Sequence, residues 1–145
     1  MQEIASLLEG EEDTITRMSS ACAILKRRLP WVSWAGFYRV VGPRTLAVGP
    51  YQGDVGCLRI GFDRGVCGTA ARSGKSQVVP DVHAFKGHIA CDPDARSEIA
   101  VPVRDPQQAL VAVLDLDSHQ PGAFDDIDRA YLEDLSKEIF PGVRS

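Results

Sequence analysis

The chain has 145 residues, 44% of them hydrophobic, with 16 basic against 20 acidic side chains for a net charge of −4. That length predicts one domain over residues 1–145, and the apolar fraction excludes a disordered or low-complexity spacer, because enough side chains can be buried to offset the entropy of ordering. The acidic balance, with no basic block longer than Lys26-Arg27-Arg28, lacks the electrostatic footprint of a phosphate-backbone binder, so nucleic acid is not an expected partner.

No apolar run approaches the roughly 20 residues that cross a bilayer, and the opening residues MQEIASLLEGEED are acidic where a signal peptide is basic. A cytoplasmic protein with no membrane partner is expected. In a reducing compartment its four cysteines, Cys22, Cys57, Cys67 and Cys91, point to burial, catalysis or redox cycling rather than to structural bridges.

In chain order, Asp13 to Leu29 reads as an amphipathic helix. Ile15, Met18, Cys22, Leu25 and Leu29 recur at spacings of three and four, Asp13 or Thr14 caps the start and Pro30 stops it. Cys22 lies on that stripe and reads as a small buried hydrophobe. From Trp34 the pattern becomes short aromatic and branched runs, WAGFYRVV, TLAVG and CLRIGF, separated by Gly and Pro turns: three strands. Cys57 opens the third. GVCGTAAR at Gly65 to Arg72 suits a short helix packed closely on a sheet and ended by Gly74.

After a brief strand at Gln77 to Val79 comes a polar stretch from Asp81 to Ser97 that holds His83, His88 and Cys91. An irregular segment of that length within a domain is usually functional. Glu98 to Val103 and Ala109 to Leu116 follow as two strands joined by a turn at Asp105-Pro106-Gln107. A final helix covers Phe124 to Phe140, with Ile127, Tyr131, Leu135 and Ile139 as its apolar series. The predicted fold is α+β: a largely antiparallel central sheet, terminal helices on one face and a ligand pocket on the other.

Two constellations could carry chemistry. The cysteines Cys57, Cys67 and Cys91 lack CxxC or zinc-knuckle spacing, and burial competes with redox function for each. A Cys/His metal site that also recruits His83 and His88 stays open as a minor alternative. Cys91 differs from the others by lying in a polar loop, where a neighbouring imidazolium or backbone N–H groups could hold a thiolate. Asp115 and Asp117 stand at i and i+2 of one strand and so project to the same face, with Glu98 opening a neighbouring strand. Such paired carboxylates are costly unless a proton or cation sits between them, and solvated edge carboxylates are the plainer alternative. Trp34, Tyr38 and Tyr51 are aromatic candidates for a pocket wall or for core packing. No GxGxxG, GxxxxGK[ST] or Gly-x-Ser-x-Gly pattern occurs.

The segments WAGFY (34–38), GPYQG (49–53), GVCGTA (65–70), GHIACD (87–92), SEI (97–99) and LDLDS (114–118), in that order, resemble the free methionine-(R)-sulfoxide reductases, single-domain enzymes with a GAF fold. The resemblance implies that Cys91 attacks the sulfoxide sulfur, that Cys57 resolves the resulting sulfenic acid as a disulfide, and that Cys67 is auxiliary. It implies that Glu98, Asp115 and Asp117 are pocket carboxylates, with Glu98 and Asp117 counted among the catalytic groups, and that Trp34 packs on the substrate methyl, with Tyr51 beside it. No metal and no cofactor is expected; a thioredoxin-like dithiol would be the reductant, and a homodimer is a further expectation. The chain departs from the family pattern in a shorter N-terminal helix and in the C-terminal IFPGVRS. A non-catalytic GAF ligand-sensing module is the alternative from another class.

Overall fold

In the computed structural model, which describes residues 2–89 and 91–140, six strands are laid side by side: β1 (Val32–Gly42), β2 (Thr45–Gln52), β3 (Arg59–Gly61), β4 (Gln77–Val79), β5 (Ser97–Arg104) and β6 (Leu110–Ser118). Their order is β3-β2-β1-β6-β5-β4, and every neighbouring pair is antiparallel. Four helices complete an α+β fold: α1 (Gln2–Leu8), α2 (Thr14–Arg28), α3 (Gly65–Ser73) and α4 (Asp126–Ser136). Ala90 of the GHIACD segment, Met1, and Pro141 onward in the divergent C-terminus lie outside the described residues.

Side-chain alternation divides the sheet into two unlike faces. Ala35 and Phe37 of β1, Ile99, Val101 and Val103 of β5, and Ala112, Leu114 and Leu116 of β6 point to one side. There they form a continuous apolar core with Ile4 and Leu8 of α1, Met18, Cys22 and Leu25 of α2, and Leu132 and Leu135 of α4. The helices from both ends of the chain thus cover one face, as expected. The α2 start is capped by Asp13, whose carboxylate accepts from the Thr16 N–H at 3.0 Å. Arg17, buried within α2, ties the chain ends to this layer by donating to the carbonyls of Leu8 at 2.7 Å, Glu11 at 2.6 Å and Glu138 at 2.7 Å.

Four details differ from the sequence reading. Ile127 is 79% exposed, because a series in steps of four drifts about 40° per step on a helix of 3.6 residues per turn, so the buried stripe of α4 runs instead through Leu132 and Leu135 and continues to Ile139. Ile15, in the first turn of α2, is likewise exposed. α1 precedes the expected first helix, and Cys57 does not open a strand, since β3 begins at Arg59 with Leu58 exposed.

The opposite face carries α3, the 3-10 turn at Val82–Ala84 and the loop that leads to Cys91. The small residues of GVCGTAAR allow the close helix contact: a Cβ on Gly68 would come within 2.6 Å of the Gly61 carbonyl oxygen. Gly74 ends α3 in the left-handed conformation, as its sequence position predicts.

Candidate active site

The registers of β1, β5 and β6 assemble the acidic group. Asp117 lies opposite both Trp34 on β1 and Glu98 on β5, while Asp115 lies opposite Gly36 and Ala100. The two small neighbours of Asp115 leave room above the sheet, and Gly36 has a second use: a Cβ there would clash with Tyr51 Cβ at 2.4 Å and with the Trp34 ring at 2.6 Å. Trp34 therefore folds down over bare backbone. Its ring is stacked between Tyr38, at 5.6 Å between centroids, and Tyr51, at 5.1 Å, and its Nε1 donates to the Asp54 carbonyl at 2.9 Å.

That last bond, together with Gly56 lying flat on the indole, brings the 53–58 loop over the sheet. Cys57 on this loop and Cys91 on the 85–94 loop form a disulfide with a Cα–Cα distance of 5.4 Å. Cys67 and Cys22 are free and buried. Cys67, on α3, faces Glu98 with Sγ 3.8 Å from Oε2. Cys22 sits on the other face of the sheet, where burial pushes its thiol up to about 12, in agreement with a purely packing role.

Two adjoining cavities flank the disulfide. One, of about 30 Å³, is bounded by Cys67, Glu98, Asp115, Asp117, Tyr38 and Cys91 among others. The second, of about 140 Å³, lies between Trp34, Tyr38, Asp54, Cys91, Asp92 and Asp117 and their neighbours. Tyr38 and Cys91 border both. A larger groove of about 770 Å³ between α4 and the β5–β6 turn contains none of the residues predicted for the site.

The electrostatics favour protons on this cluster. Burial and the charge of Asp117 push Asp115 up to about 8. Burial, then the charge of Asp115, raises Glu98 well above the usual carboxylate range, and burial followed by the charges of Glu98 and Asp92 does the same for Asp117. The Cys67 thiol is held protonated by burial and by Asp115. Asp115 Oδ1 is buried with no hydrogen-bond partner among the described residues, a condition that costs about 1–3 kcal/mol. The arrangement can therefore donate a proton to, or accept hydrogen bonds from, a polar molecule placed above it.

Cys57 and Cys91, joined to each other, have no thiolates to offer the Cys/His metal site weighed from the sequence, and His83 and His88 instead pack edge to face at 6.4 Å. Among the described residues, the donors close enough to share a cation are those of Cys67, Glu98 and Asp115, all within 4.8 Å of one another.

Of the predicted site residues, Cys67, Cys91, Trp34, Glu98, Asp115 and Asp117 line the two cavities, and Cys57 is joined to them through its disulfide with Cys91. Tyr51 braces the far side of Trp34 and is not among the lining residues. Tyr38, one of the three aromatic candidates in the sequence, is the aromatic that borders both cavities. His119, which lines the second cavity, is the residue that sequence reasoning misses, although it continues the alternation of Asp115 and Asp117 by one more step.

The GAF domain family profile matches residues 11–139. Free methionine-R-sulfoxide reductase of Escherichia coli (strain K12) is 40% identical over 138 residues, covering 95% of this chain and 82% of the relative. The enzyme of the same name from Saccharomyces cerevisiae is 39% identical over 139 residues, covering 92% and 77%. The X-ray structure of free methionine-R-sulfoxide reductase from Neisseria meningitidis in complex with its substrate is similar with a TM-score of 0.91 at 40% identity, covering 95% of this chain and 82% of that one. No helix among the described residues is long and apolar enough to cross a membrane. With its family profile, relatives and site arrangement in agreement, the chain belongs to the GAF-domain family of free methionine-R-sulfoxide reductases, which are oxidoreductases.

Proposed function

We propose that this chain reduces free L-methionine-(R)-sulfoxide to methionine, using Cys91 as nucleophile and Cys57 as resolving thiol. The observation that carries the reading is the Cys57–Cys91 disulfide set between a cluster of proton-holding carboxyls and an indole wall. The substrate has an ammonium, a polar S=O and an apolar methyl. Carboxylates answer the first, a protonated carboxyl the second and Trp34 the third.

Chemically, the Cys91 thiolate attacks the sulfoxide sulfur while a carboxylic acid delivers a proton to the oxygen. The S–O bond breaks and the oxygen passes to Cys91 as the Cys91–substrate sulfur bond made in the attack is cleaved, leaving a sulfenic acid on Cys91 and methionine reduced by two electrons. Cys57 then displaces hydroxide from the sulfenic sulfur, which departs as water, and the Cys57–Cys91 bond forms. An external dithiol of thioredoxin type restores both thiols by exchange and is itself oxidised to a disulfide. Cys67 is an auxiliary thiol in this reading, Tyr51 supports the Trp34 wall, and a cytoplasmic location and a homodimer belong to the same reading. A ligand-sensing module has no need of a disulfide at the edge of its pocket.

The test is methionine release from free methionine-(R)-sulfoxide, from its S epimer and from a peptide-embedded sulfoxide, with dithiothreitol present. The reading predicts turnover of the free R epimer, poor turnover of the peptide-embedded sulfoxide, because an amide nitrogen cannot replace the ammonium, and poor turnover of the S epimer, in which methyl and oxygen exchange places relative to Trp34 and the proton donor. Equal rates on free and peptide-bound sulfoxide would contradict it.

A further inference from the structure

Asp92 directly follows Cys91, and its two carboxylate oxygens have different partners. Oδ1 accepts from the Asp94 N–H at 2.9 Å, and the Asp92 carbonyl accepts from the Ala95 N–H at 3.2 Å, so residues 92–95 form a local turn. Oδ2 faces away from that turn and meets His119 Nε2 at 2.9 Å. His119 lies one residue beyond β6, a strand paired on both sides by β1 and β5. The contact therefore joins the turn beside Cys91 to a firmly held strand end.

The rest of the 85–94 loop has few such attachments. At its start, the Gly65 N–H donates to the Gly87 carbonyl at 3.0 Å, and Ile89 packs over Gly65, where a Cβ would come within 3.1 Å. At its Cys91 end, the polar side-chain tie to the sheet among the described residues is Asp92–His119; the other link is the disulfide, which leads to Cys57 on a second loop. Attack on a substrate requires that disulfide to be open, so at that moment the Asp92–His119 hydrogen bond is the remaining side-chain tether.

We propose that His119 is a positioning residue for Cys91, holding its loop against the end of β6 through Asp92 whenever the Cys57–Cys91 bond is open. The inference rests on the assignment of Cys91 as the attacking thiol. Its size follows from the exposure of the pair: the His119 and Asp92 side chains are 54% and 26% exposed, and polar contacts at such exposed sites shift an equilibrium by between about 1.5- and fivefold. In the oxidised protein the covalent bond makes the same restraint redundant.

Two measurements on the full chain test this. Hydrogen exchange of the 85–94 segment is compared for wild type, His119→Ala, His119→Gln, Asp92→Asn and the Asp92→Asn/His119→Ala pair, each in the reduced and the disulfide form. Single-turnover methionine release from pre-reduced protein is then followed across substrate concentrations. His119→Ala should raise exchange in the reduced form by about two- to fivefold and leave the oxidised form unchanged, with a matching rise in half-saturating substrate. Asp92→Asn keeps the turn acceptor and weakens the contact to His119, so it should raise exchange in the same way, and the double variant should exchange no faster than either single one. Methionine release is compared for the His119 variants alone, because the Asp92 charge also acts on Asp117. His119→Gln, which can still donate to Asp92, should recover part of the loss. Unchanged exchange in reduced His119→Ala, equal effects in both redox forms, or additive single effects would overturn the proposal. If wild type releases no methionine, the functional assignment fails, and the exchange result still decides whether the tether exists.

Discussion

Leu114 and Asp115 are neighbours on β6 and both are almost fully buried, yet they face opposite sides of the sheet and opposite physics. On the Leu114 side, aliphatic side chains from three strands meet three helices, and the one charged side chain drawn in, Arg17, is met by backbone carbonyls. On the Asp115 side, two carboxyls and a thiol are buried beside small cavities, and one carboxylate oxygen has no partner. The first arrangement gains stability from each methylene removed from water. The second gives up stability to keep a reactive surface preorganised. One six-stranded sheet thus separates the energy that holds the fold from the chemistry it supports, and substitutions on the two faces should separate the same way.

The largest effect belongs to the reactive face. Cys91→Ser should abolish methionine release even in a single turnover, measured on pre-reduced protein, while thermal unfolding of the reduced variant stays close to that of reduced wild type. Next come the acids: Asp117→Asn or Glu98→Gln should slow the reductive step by about 100-fold in whichever position supplies the proton, whereas loss of an ammonium ligand should mainly raise KM. Single-turnover rates across pH distinguish the two outcomes. On the helix face the expectation is reversed. Leu114→Ala should cost about 2–5 kcal/mol in denaturant unfolding, with the rate per folded molecule changing little.

A finer contrast comes from pH. Asp115 binds its proton more tightly folded, with a value pushed up to about 8, than unfolded, where an Asp titrates near ~3.9. Between those values the folded state holds more protons, so stability must fall as pH rises through this window, by at most ~1.4 kcal/mol per pH unit from this group. Below the window the penalty is absent and above it constant. Unfolding curves from pH 4 to pH 8.5 should show a slope of this sign, and Asp115→Asn should reduce it by this group's share, leaving the part due to Glu98 and Asp117. The smallest effect is expected at Cys22, where Cys22→Ser should leave turnover unchanged and destabilise the protein by roughly 1 kcal/mol, because the buried hydroxyl retains the Pro50 carbonyl as an acceptor in otherwise apolar surroundings.

Much of this division was legible in the sequence, because strand alternation is strict. The i, i+2 spacing of Asp115 and Asp117 placed both on one face and Leu114 and Leu116 on the other, and Cys22 on an apolar helical stripe was correctly read as buried. Helix edges were less legible. The four-residue series beginning at Ile127 drifts around α4, and Ile15, in the first turn of α2, is exposed although its spacing fits the apolar stripe. Cys57 was misplaced on a strand since an apolar Cys-Leu-Arg-Ile run does not reveal that the preceding loop is drawn over Trp34 by the Asp54 carbonyl. Its pairing with Cys91, across a separation of 34 residues, has no signature in spacing and entered only through family resemblance. His119 was overlooked because it falls just beyond the strand whose alternation it continues.

The central claim is that oxidation of this cysteine pair is coupled to reduction of one sulfoxide. It is tested most directly by mixing pre-reduced protein with free methionine-(R)-sulfoxide, without any reductant, and measuring methionine and the disulfide map in the same sample. The account predicts about one methionine per chain, accompanied by an equal amount of Cys57–Cys91 disulfide, and in Cys57→Ser about one methionine with a sulfenic acid on Cys91 in place of the disulfide. Methionine release that leaves Cys91 a free thiol, or disulfide formation with no methionine released, would contradict it.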